Sequence, residues 1–520
     1  MSTLRVEEPG PAAPTRPLAG MRAWLKGVDP LVGVVALVSL VVYLLHGFDK
    51  ILARDLGLYT YGGQRFLAGD PPYVGVLNRS GPLAHLLPGI GTWAGRLVGL
   101  SDVHGARALY MLISVLAVCV VYLAVRDLTR LRPAAVVAAV AFLGFQAFLD
   151  AATNGPRDKT AMTLFLLLAL LAVVRRRWVT CGVFIAMGTL TWQPVFFVIA
   201  PTAAVAVLLA PERRLAALVR IAVGGIAATA VVVFYYILNG ALHAFLLGFV
   251  LINARYTHQT SAFSQGKIWV GARSGYGPSF WVIIFGFVAV LVLAVVSARA
   301  AWRTREAAPA TYVALGAGTL VGLAWCYIAY NKAPDLFVML PFAALGVGGA
   351  AAVLLRRLDM RAAVAVTAVL AVIGTTYATA FSINSRRHTL IAQQAQVAAM
   401  FRAGPHPSTV LSVQAPQVLV LSGRTNISRY QMFGNGFWNY IDHTFPGGLA
   451  GYRAWVEKQA PTFIVVETGF HPRWLEPLLE QHYHRVASGL QAVWWVNKSL
   501  PPAERHKIHR ASHLAKVGRT

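Results

Sequence analysis

The chain has 520 residues, of which 57% are hydrophobic and only 13% charged. That composition excludes a disordered chain and argues against an ordinary soluble globule. Lys and Arg number 46 against 20 Asp and Glu, a formal net charge of +26. No nucleic-acid partner is expected, because the excess sits between apolar runs, where arginines orient spans and touch anionic membrane lipids.

In chain order, residues 1–27 are Pro/Ala-rich and polar, carry no cleavable signal peptide, and read as a disordered cytoplasmic tail. Apolar runs of roughly 17 to 22 residues follow, each near the length that crosses a bilayer as helix. Spans are predicted near 28–46, 106–125, 133–149, 160–174, 178–193, 194–210, 217–238, 278–298, 309–329, 336–355 and 362–381. Arg126/Arg130/Arg132, Arg175–Arg177, Arg213/Arg214, Arg299/Arg303/Arg305 and Arg356/Arg357/Arg361 fill every second connection, which the positive-inside rule places in the cytoplasm. Residues 83–100 are apolar but broken by Pro88, Gly89, Gly91, Gly95 and Gly99. Counting them as a crossing would put the Arg126–Arg132 cluster outside, so they are predicted to lie on or dip into the outer surface.

The outer side then holds residues 47–105, 150–159, 239–277, 330–335 and everything after about 382. Past that point, β-prone runs (Val410–Val413, Val418–Leu421, Phe463–Val466, Ala492–Val496) alternate with helical stretches near 449–459 and 472–483. This predicts a small extracytoplasmic α/β domain over 382–500 and a basic disordered tail over 501–520. The expected architecture is a polytopic α-helical membrane protein of the cell membrane, with eleven transmembrane helices over 28–381. Cys119, Cys181 and Cys326 all fall in apolar runs, outside any disulfide or zinc pattern.

The chemistry is expected in the outer loops. Loop 47–105 is long and polar, and ordered loops of that length are usually functional. Asp49 follows the first span directly, and Asp55 begins a helix-like stretch that its carboxylate can cap. Either can also serve as a general base towards a hydroxyl within hydrogen-bonding reach. In Asn154-Gly155-Pro156-Arg157-Asp158-Lys159, two cations and a carboxylate stand together, fit to bind a phosphate and align a sugar, or simply to form a capped turn with snorkelling charges. Lys332 and Asp335 occupy a second outer turn, and loop 239–277 adds His243, Arg255 and His258. The two histidines are too far apart, with no carboxylate or Cys nearby, for a recognisable metal motif, and no Asp-x-Asp occurs beside them. A metal-independent site without cofactor is expected. Gln193 can hydrogen-bond a sugar, while Trp192 is expected to be an interfacial anchor.

These residues resemble the integral-membrane GT-C glycosyltransferases, in the bacterial branch similar to protein O-mannosyltransferases and aminoarabinose transferases. Asp55-Leu-Gly-Leu-Tyr-Thr-Tyr, Leu67-Ala-Gly-Asp-Pro-Pro-Tyr73 and Gly81-Pro-Leu83 look like that family's acidic residue, Gly-x-Pro-Tyr-like turn and Lys-Gly-Pro-Leu-like turn. Arg79 and Ser80 stand where the Lys is usual. Gly155-Pro-Arg-Asp158 occupies the place of the acidic second outer loop, and Lys332 and Asp335 before Leu340-Pro341 resemble the polar pair preceding a late helix.

The resemblance implies transfer of a hexose or pentose, such as mannose or arabinose, from a polyprenyl-phosphate donor to a hydroxyl of a glycan, lipid or protein acceptor, with inversion. It implies Asp55 as base with Asp49 and Asp158 in reserve, and Arg157, Lys159 and Lys332 on the lipid phosphate. Asp335, Tyr59, Gln193, Arg79 and Arg255 complete the expected substrate site. A transporter or flippase would instead place charge within the spans, and a polyprenyl-diphosphate glycan ligase would need a wider cleft.

Overall fold

The computed structural model describes residues 29–517 except 211–212, 258–267, 305–306 and 435. The predicted N-terminal tail and His258 lie outside the described residues.

Every predicted span carries helix. Among the described residues, five stretches are long and apolar enough to cross a membrane: Asp102–Thr129, Arg214–Leu238, Ser279–Ala300, Ala310–Ala329 and Met360–Ala403. Arg132–Leu143 and Gln146–Asn154 make a sixth if the pair, bent by 68°, counts as one span. Pro30–His46, Trp178–Thr189, Gln193–Leu208, Leu242–Arg255 and Leu340–Leu355 are shorter apolar helices. Leu83–Leu97 is a 15-residue helix, about 22 Å long at 1.5 Å per residue and too short for a hydrocarbon core of about 30 Å. Ile226, Val231, Phe285, Val292, Val369 and Val372 point outwards from the long helices, an apolar surface suited to lipid rather than water. Inside the bundle, the Phe148 ring packs tilted against Phe142 and edge-on against Phe337. The helices Ser279–Thr304 and Leu340–Leu355 cross with backbones touching, because a Cβ on Gly346 would lie 2.0 Å from the Gly286 carbonyl.

The C-terminal domain is built on a four-stranded sheet in the order β1-β2-β4-β3. Its strands are β1 (Val410–Val413), β2 (Phe463–Glu467), β3 (Tyr483–Gly489) and β4 (Ala492–Asn497). β1 and β2 are parallel, and the other pairings are antiparallel. Two expectations need correction. Residues 418–421, apolar and β-branched in part, lie in the helix Pro416–Ser422, which proline starts and Gly423 in the left-handed region ends. Residues 501–520, expected as a disordered tail, carry the helix Pro502–Val517. Its Ile508 is fully buried and its Ser512 Oγ donates to the Val486 carbonyl at 2.9 Å, which ties this basic helix to β3.

The outer loop and the C-terminal domain form one packed unit. Leu52, Leu56, Leu58 and Tyr61 share a core with Val410, Val418, Leu419, Phe463 and Trp494. Leu52 and the Gln393 amide exchange hydrogen bonds of 2.9 and 3.1 Å, and the Tyr61 hydroxyl accepts from the Asn426 N–H at 3.0 Å. The helix Arg54–Leu67 lies so close to the helix Pro416–Ser422 that a Cβ on Gly57 would meet the Gln417 backbone nitrogen at 2.7 Å. Neither backbone can yield, so Gly57→Ala is expected to cost about 1–3 kcal/mol of stability. The checks are a lowered thermal midpoint in detergent and faster proteolysis of the C-terminal domain; an unchanged midpoint would show that this contact does not hold the domain in place.

Candidate active site

A polar cavity of about 340 Å³ opens between the outer loop, the helix starts and the C-terminal domain. Asp55, Tyr59, Arg79, Arg157, Asp158, Lys159, Gln193, Lys332 and Asp335 all line it. Segments distant in sequence thus bring nine of the eleven predicted site residues to one place. The other two stand elsewhere. The Asp49 carboxylate faces His104 at 3.1 Å and His388 at 3.5 Å, while its carbonyl accepts from the Leu390 N–H, so it joins the first helix to the C-terminal domain. Arg255 is exposed at the end of its helix, and Asn253 from the same turn lines the cavity instead, donating to the Arg79 carbonyl at 2.8 Å.

Three carboxylates enter the cavity, and their hydrogen bonds distinguish them. Asp335 is saturated: one oxygen takes Lys159 Nζ, and the other accepts the backbone N–H groups of Asn331 and Lys332 at 2.7 and 2.9 Å. Burial raises its pKa, but Lys159 and those N–H groups overcome the effect and hold it below the usual carboxylate range. Asp158 is 5% exposed at the start of the helix Asp158–Val174, where the dipole favours a negative charge. It accepts from its neighbour's N–H at 2.8 Å and from Ser80 Oγ at 3.3 Å, and Ser80 in turn meets the Tyr59 hydroxyl at 3.0 Å.

Asp55 differs from both. Its side chain is 39% exposed within the cleft, and only one of its oxygens is engaged, by Arg54 Nε at 2.9 Å. It sits in the first turn of the helix Arg54–Leu67 but makes no cap; the predicted capping bond is replaced by this ion pair. Partial desolvation in the cleft raises its pKa, but Arg54, Arg157 and Lys159 outweigh that effect and hold the carboxyl below its usual range.

The cations sort in the same way. Lys159 is tied to Asp335 and lies 5.1 Å from the centre of the Trp192 ring. Trp192 is therefore part of the cavity wall and not an interfacial anchor: it is 9% exposed and packs edge-on against Trp325 with ring centres 4.9 Å apart. Among the described residues, the side chains of Arg157 and Lys332 take no hydrogen bond or ion pair. Arg79 Nη1 is buried without a partner, and burial lowers that guanidinium's pKa. An unpartnered buried donor is costly unless a ligand completes it.

Sequence reasoning missed Arg54, Ser80, Asn253, Trp325 and Glu467 as site residues. Arg54 and Ser80 adjoin residues already singled out; nothing local marks Glu467, whose carboxylate reaches Arg54 Nη1 at 3.0 Å from the end of β2. Among the described residues no three His, Cys, Asp or Glu side chains gather as metal ligands.

Two further spaces adjoin the cavity. An apolar groove of about 690 Å³ runs between the helices Trp178–Thr189, Phe196–Leu208 and Arg214–Leu238. Phe249 lines it, and the Phe249 carbonyl accepts from Gln193 at 3.2 Å and Asn253 at 3.1 Å, two cavity residues. On another side, a second polar cavity of about 430 Å³ shares Arg157 and Pro334 with the first and contains Lys50, Asp150, Asn154 and Arg387.

No family model matches the sequence, and no curated protein matches it. Solved structures do. ArnT from Cupriavidus metallidurans in the apo state is 16% identical over 92% of this chain and 98% of its own, with a TM-score of 0.62. The same protein bound to undecaprenyl phosphate is 14% identical over 90% and 98%, with a TM-score of 0.61. The archaeal oligosaccharyltransferase AglB from Archaeoglobus fulgidus, in complex with an inhibitory peptide and a dolichol-phosphate, is 15% identical over 94% and 77%, with a TM-score of 0.51. These neighbours are GT-C enzymes, and this chain has the GT-C fold.

The site's own electrostatics make one prediction. Removing a partner from a buried ion pair costs about 3–5 kcal/mol, and Lys159 and Asp335 are 17% and 8% exposed. Asp335→Ala should therefore lower the thermal midpoint far more than Lys332→Ala, whose ammonium is unpaired. Equal midpoints for the two variants would refute the structural role of Asp335.

Proposed function

We propose that this chain is a membrane glycosyltransferase that moves a sugar from a polyprenyl-phosphate donor to an acceptor hydroxyl on the extracytoplasmic face. The observation that carries this reading is the meeting, in one cavity, of a carboxylate with one unengaged oxygen and three cations, two held in no ion pair among the described residues and one with a buried, unpartnered N–H group. A hydroxyl must lose a proton and a phosphate must gain charge in the same step, and those two groups meet the two demands.

Asp55 is the base. Asp335 has no free oxygen and Asp158 is sunk beneath Ser80, whereas Asp55 keeps one oxygen towards the cleft. As the acceptor oxygen attacks the anomeric carbon, its proton passes to Asp55. The bond from that carbon to the phosphate oxygen breaks, and its electron pair leaves with the polyprenyl phosphate. A single displacement of this kind inverts the anomeric centre. Arg79, Arg157 and Lys332 receive the departing phosphate, and the orphaned Arg79 Nη1 gains the acceptor it lacks. Lys159 acts mainly on Asp335 and Trp192 rather than as a free phosphate ligand.

The apolar groove beyond Phe249 suits the prenyl tail, so no long hydrocarbon need enter water. The neighbouring polar cavity, which shares Arg157, suits the acceptor. The undecaprenyl phosphate bound to ArnT and the dolichol-phosphate in the AglB complex support a lipid-phosphate donor. A hexose or pentose fits the chemistry equally, as does a glycan, lipid or protein acceptor. The arginine-rich connections support a cytoplasmic N-terminus and an outer C-terminal domain.

Membranes bearing the protein should release polyprenyl phosphate from one member of a panel of polyprenyl-phosphate sugars. Asp55→Asn is expected to lower that release about 10²–10⁴-fold with insertion and thermal midpoint preserved. Normal turnover in the variant would move the base to Asp158, and silence of the wild type with every donor would favour a flippase or a diphosphate-dependent ligase. Arg79→Ala removes a charge-assisted contact of about 1.5–3 kcal/mol, so the donor KM should rise at least tenfold; an unchanged KM would take Arg79 off the phosphate.

A further inference from the structure

Arg54 holds two carboxylates at once. Its Nε donates to Asp55 Oδ1 at 2.9 Å, and its Nη1 donates to Glu467 Oε2 at 3.0 Å. The three side chains are 26%, 39% and 21% exposed, so the cluster lies in the cleft, partly screened from water. Glu467 is the last residue of β2, in the middle of the C-terminal sheet, and its carboxylate reaches across the interface between that domain and the outer loop.

A guanidinium shared between two anions gives each less than its full charge. An Arg54 devoted to Asp55 alone would bind the ionised carboxylate more tightly and leave it a poorer base. We propose that Glu467 is a positioning residue for sugar transfer: it draws part of the Arg54 charge away from Asp55 and so makes the ionised carboxylate a better base. The inference rests on the assignment of Asp55 as base. It gives the C-terminal domain a part in the chemistry beyond covering the cleft, since docking of β2 is what delivers Glu467.

The other charges facing this cluster are Arg157 and Lys159, which stabilise ionised Asp55, and Lys332, which stabilises ionised Glu467. Tyr59, whose pKa is raised by burial and by Asp158 and Asp55, remains a neutral hydroxyl. Burial raises the Glu467 pKa above its ordinary 4.5, and the attraction of Arg54 only partly offsets it. Asp55 titrates below its ordinary 3.8. On acidification Glu467 therefore takes its proton first, and Arg54 turns wholly to Asp55. The rate should fall in two steps: a partial one above pH 4.5 as Glu467 is neutralised, and a complete one below pH 3.8 as Asp55 is protonated.

The test is the pH dependence of kcat for polyprenyl-phosphate release in nanodiscs, with KM for donor and acceptor measured alongside. Wild type should lose about three- to tenfold between pH 7 and the first plateau. Glu467→Gln should start at that plateau value at pH 7, show no first step, and keep both KM values within about twofold. Glu467→Asp should restore part of the rate. In an Arg54→Gln background, adding Glu467→Gln should change kcat little, because the coupling runs through Arg54.

A Glu467→Gln variant with wild-type kcat and both pH steps would overturn the proposal. So would a loss of rate that comes with a lowered thermal midpoint and a persisting first step, which would make Glu467 merely structural. So would an equal effect of Glu467→Gln with and without Arg54. An Asp55→Asn control that still turns over would instead strike the base assignment itself, which separates the two failures.

Discussion

One guanidinium organises the active cleft. Arg54 opens the helix that carries Asp55, and it stands where that helix meets the C-terminal domain. Its ion pairs with Asp55 and Glu467 therefore join three things: the start of a helix, the carboxylate proposed as base, and the end of an inner strand of the C-terminal sheet. In water such pairs are worth little, but in a partly enclosed cleft an unpaired carboxylate would neutralise itself by taking a proton. The charge of Arg54, with Arg157 and Lys159 behind it, favours the ionised form of Asp55 against burial.

Around that cluster, the cavity divides its charges into spent and available. Asp335 and Lys159 satisfy each other and the turn between them, and Trp192 closes over the lysine. Asp158 is absorbed by the Tyr59–Ser80 relay and the start of its own helix. What remains available is one oxygen of Asp55 on the acidic side and Arg79, Arg157 and Lys332 on the basic side. The observed division leaves free the groups that a hydroxyl and a phosphate require.

The scaffold explains how that division is maintained. Gly57 lets the helix Arg54–Leu67 touch the backbone of the helix Pro416–Ser422, and the Gln393 and Tyr61 hydrogen bonds lock the same interface. Glu467 can then reach Arg54 from a fixed strand rather than from a loop. The apolar groove beside Phe249 places a lipid-facing surface next to the polar cavity, separated by a single turn whose carbonyl is held by Gln193 and Asn253.

The sequence by itself determined much of the local structure. Long apolar runs force helix because backbone groups in lipid can satisfy one another only within a helix, and arginine spacing marks the connections between them. The clusters at Asp55, Arg157–Lys159 and Lys332–Asp335 stood out because charge beside an apolar run is costly without a purpose. Alternation failed at 418–421, where a short apolar run fits helix or strand equally, and at 501–520, where a basic helix carries the buried Ile508.

Only the tertiary structure decided which charges are free. Asp49 and Asp55 look alike in sequence, as do Lys159 and Lys332, and Arg255 looks as apt as Asn253. Their roles separate because Asp49 meets two histidines, Lys159 meets Asp335, and Asn253 rather than Arg255 turns to the cavity. Glu467 carried no local signal, since its importance comes from a partner 413 positions away. Side-chain type and hydrophobic period are local properties, but whether a charge is neutralised depends on what the fold places within a few ångströms of it.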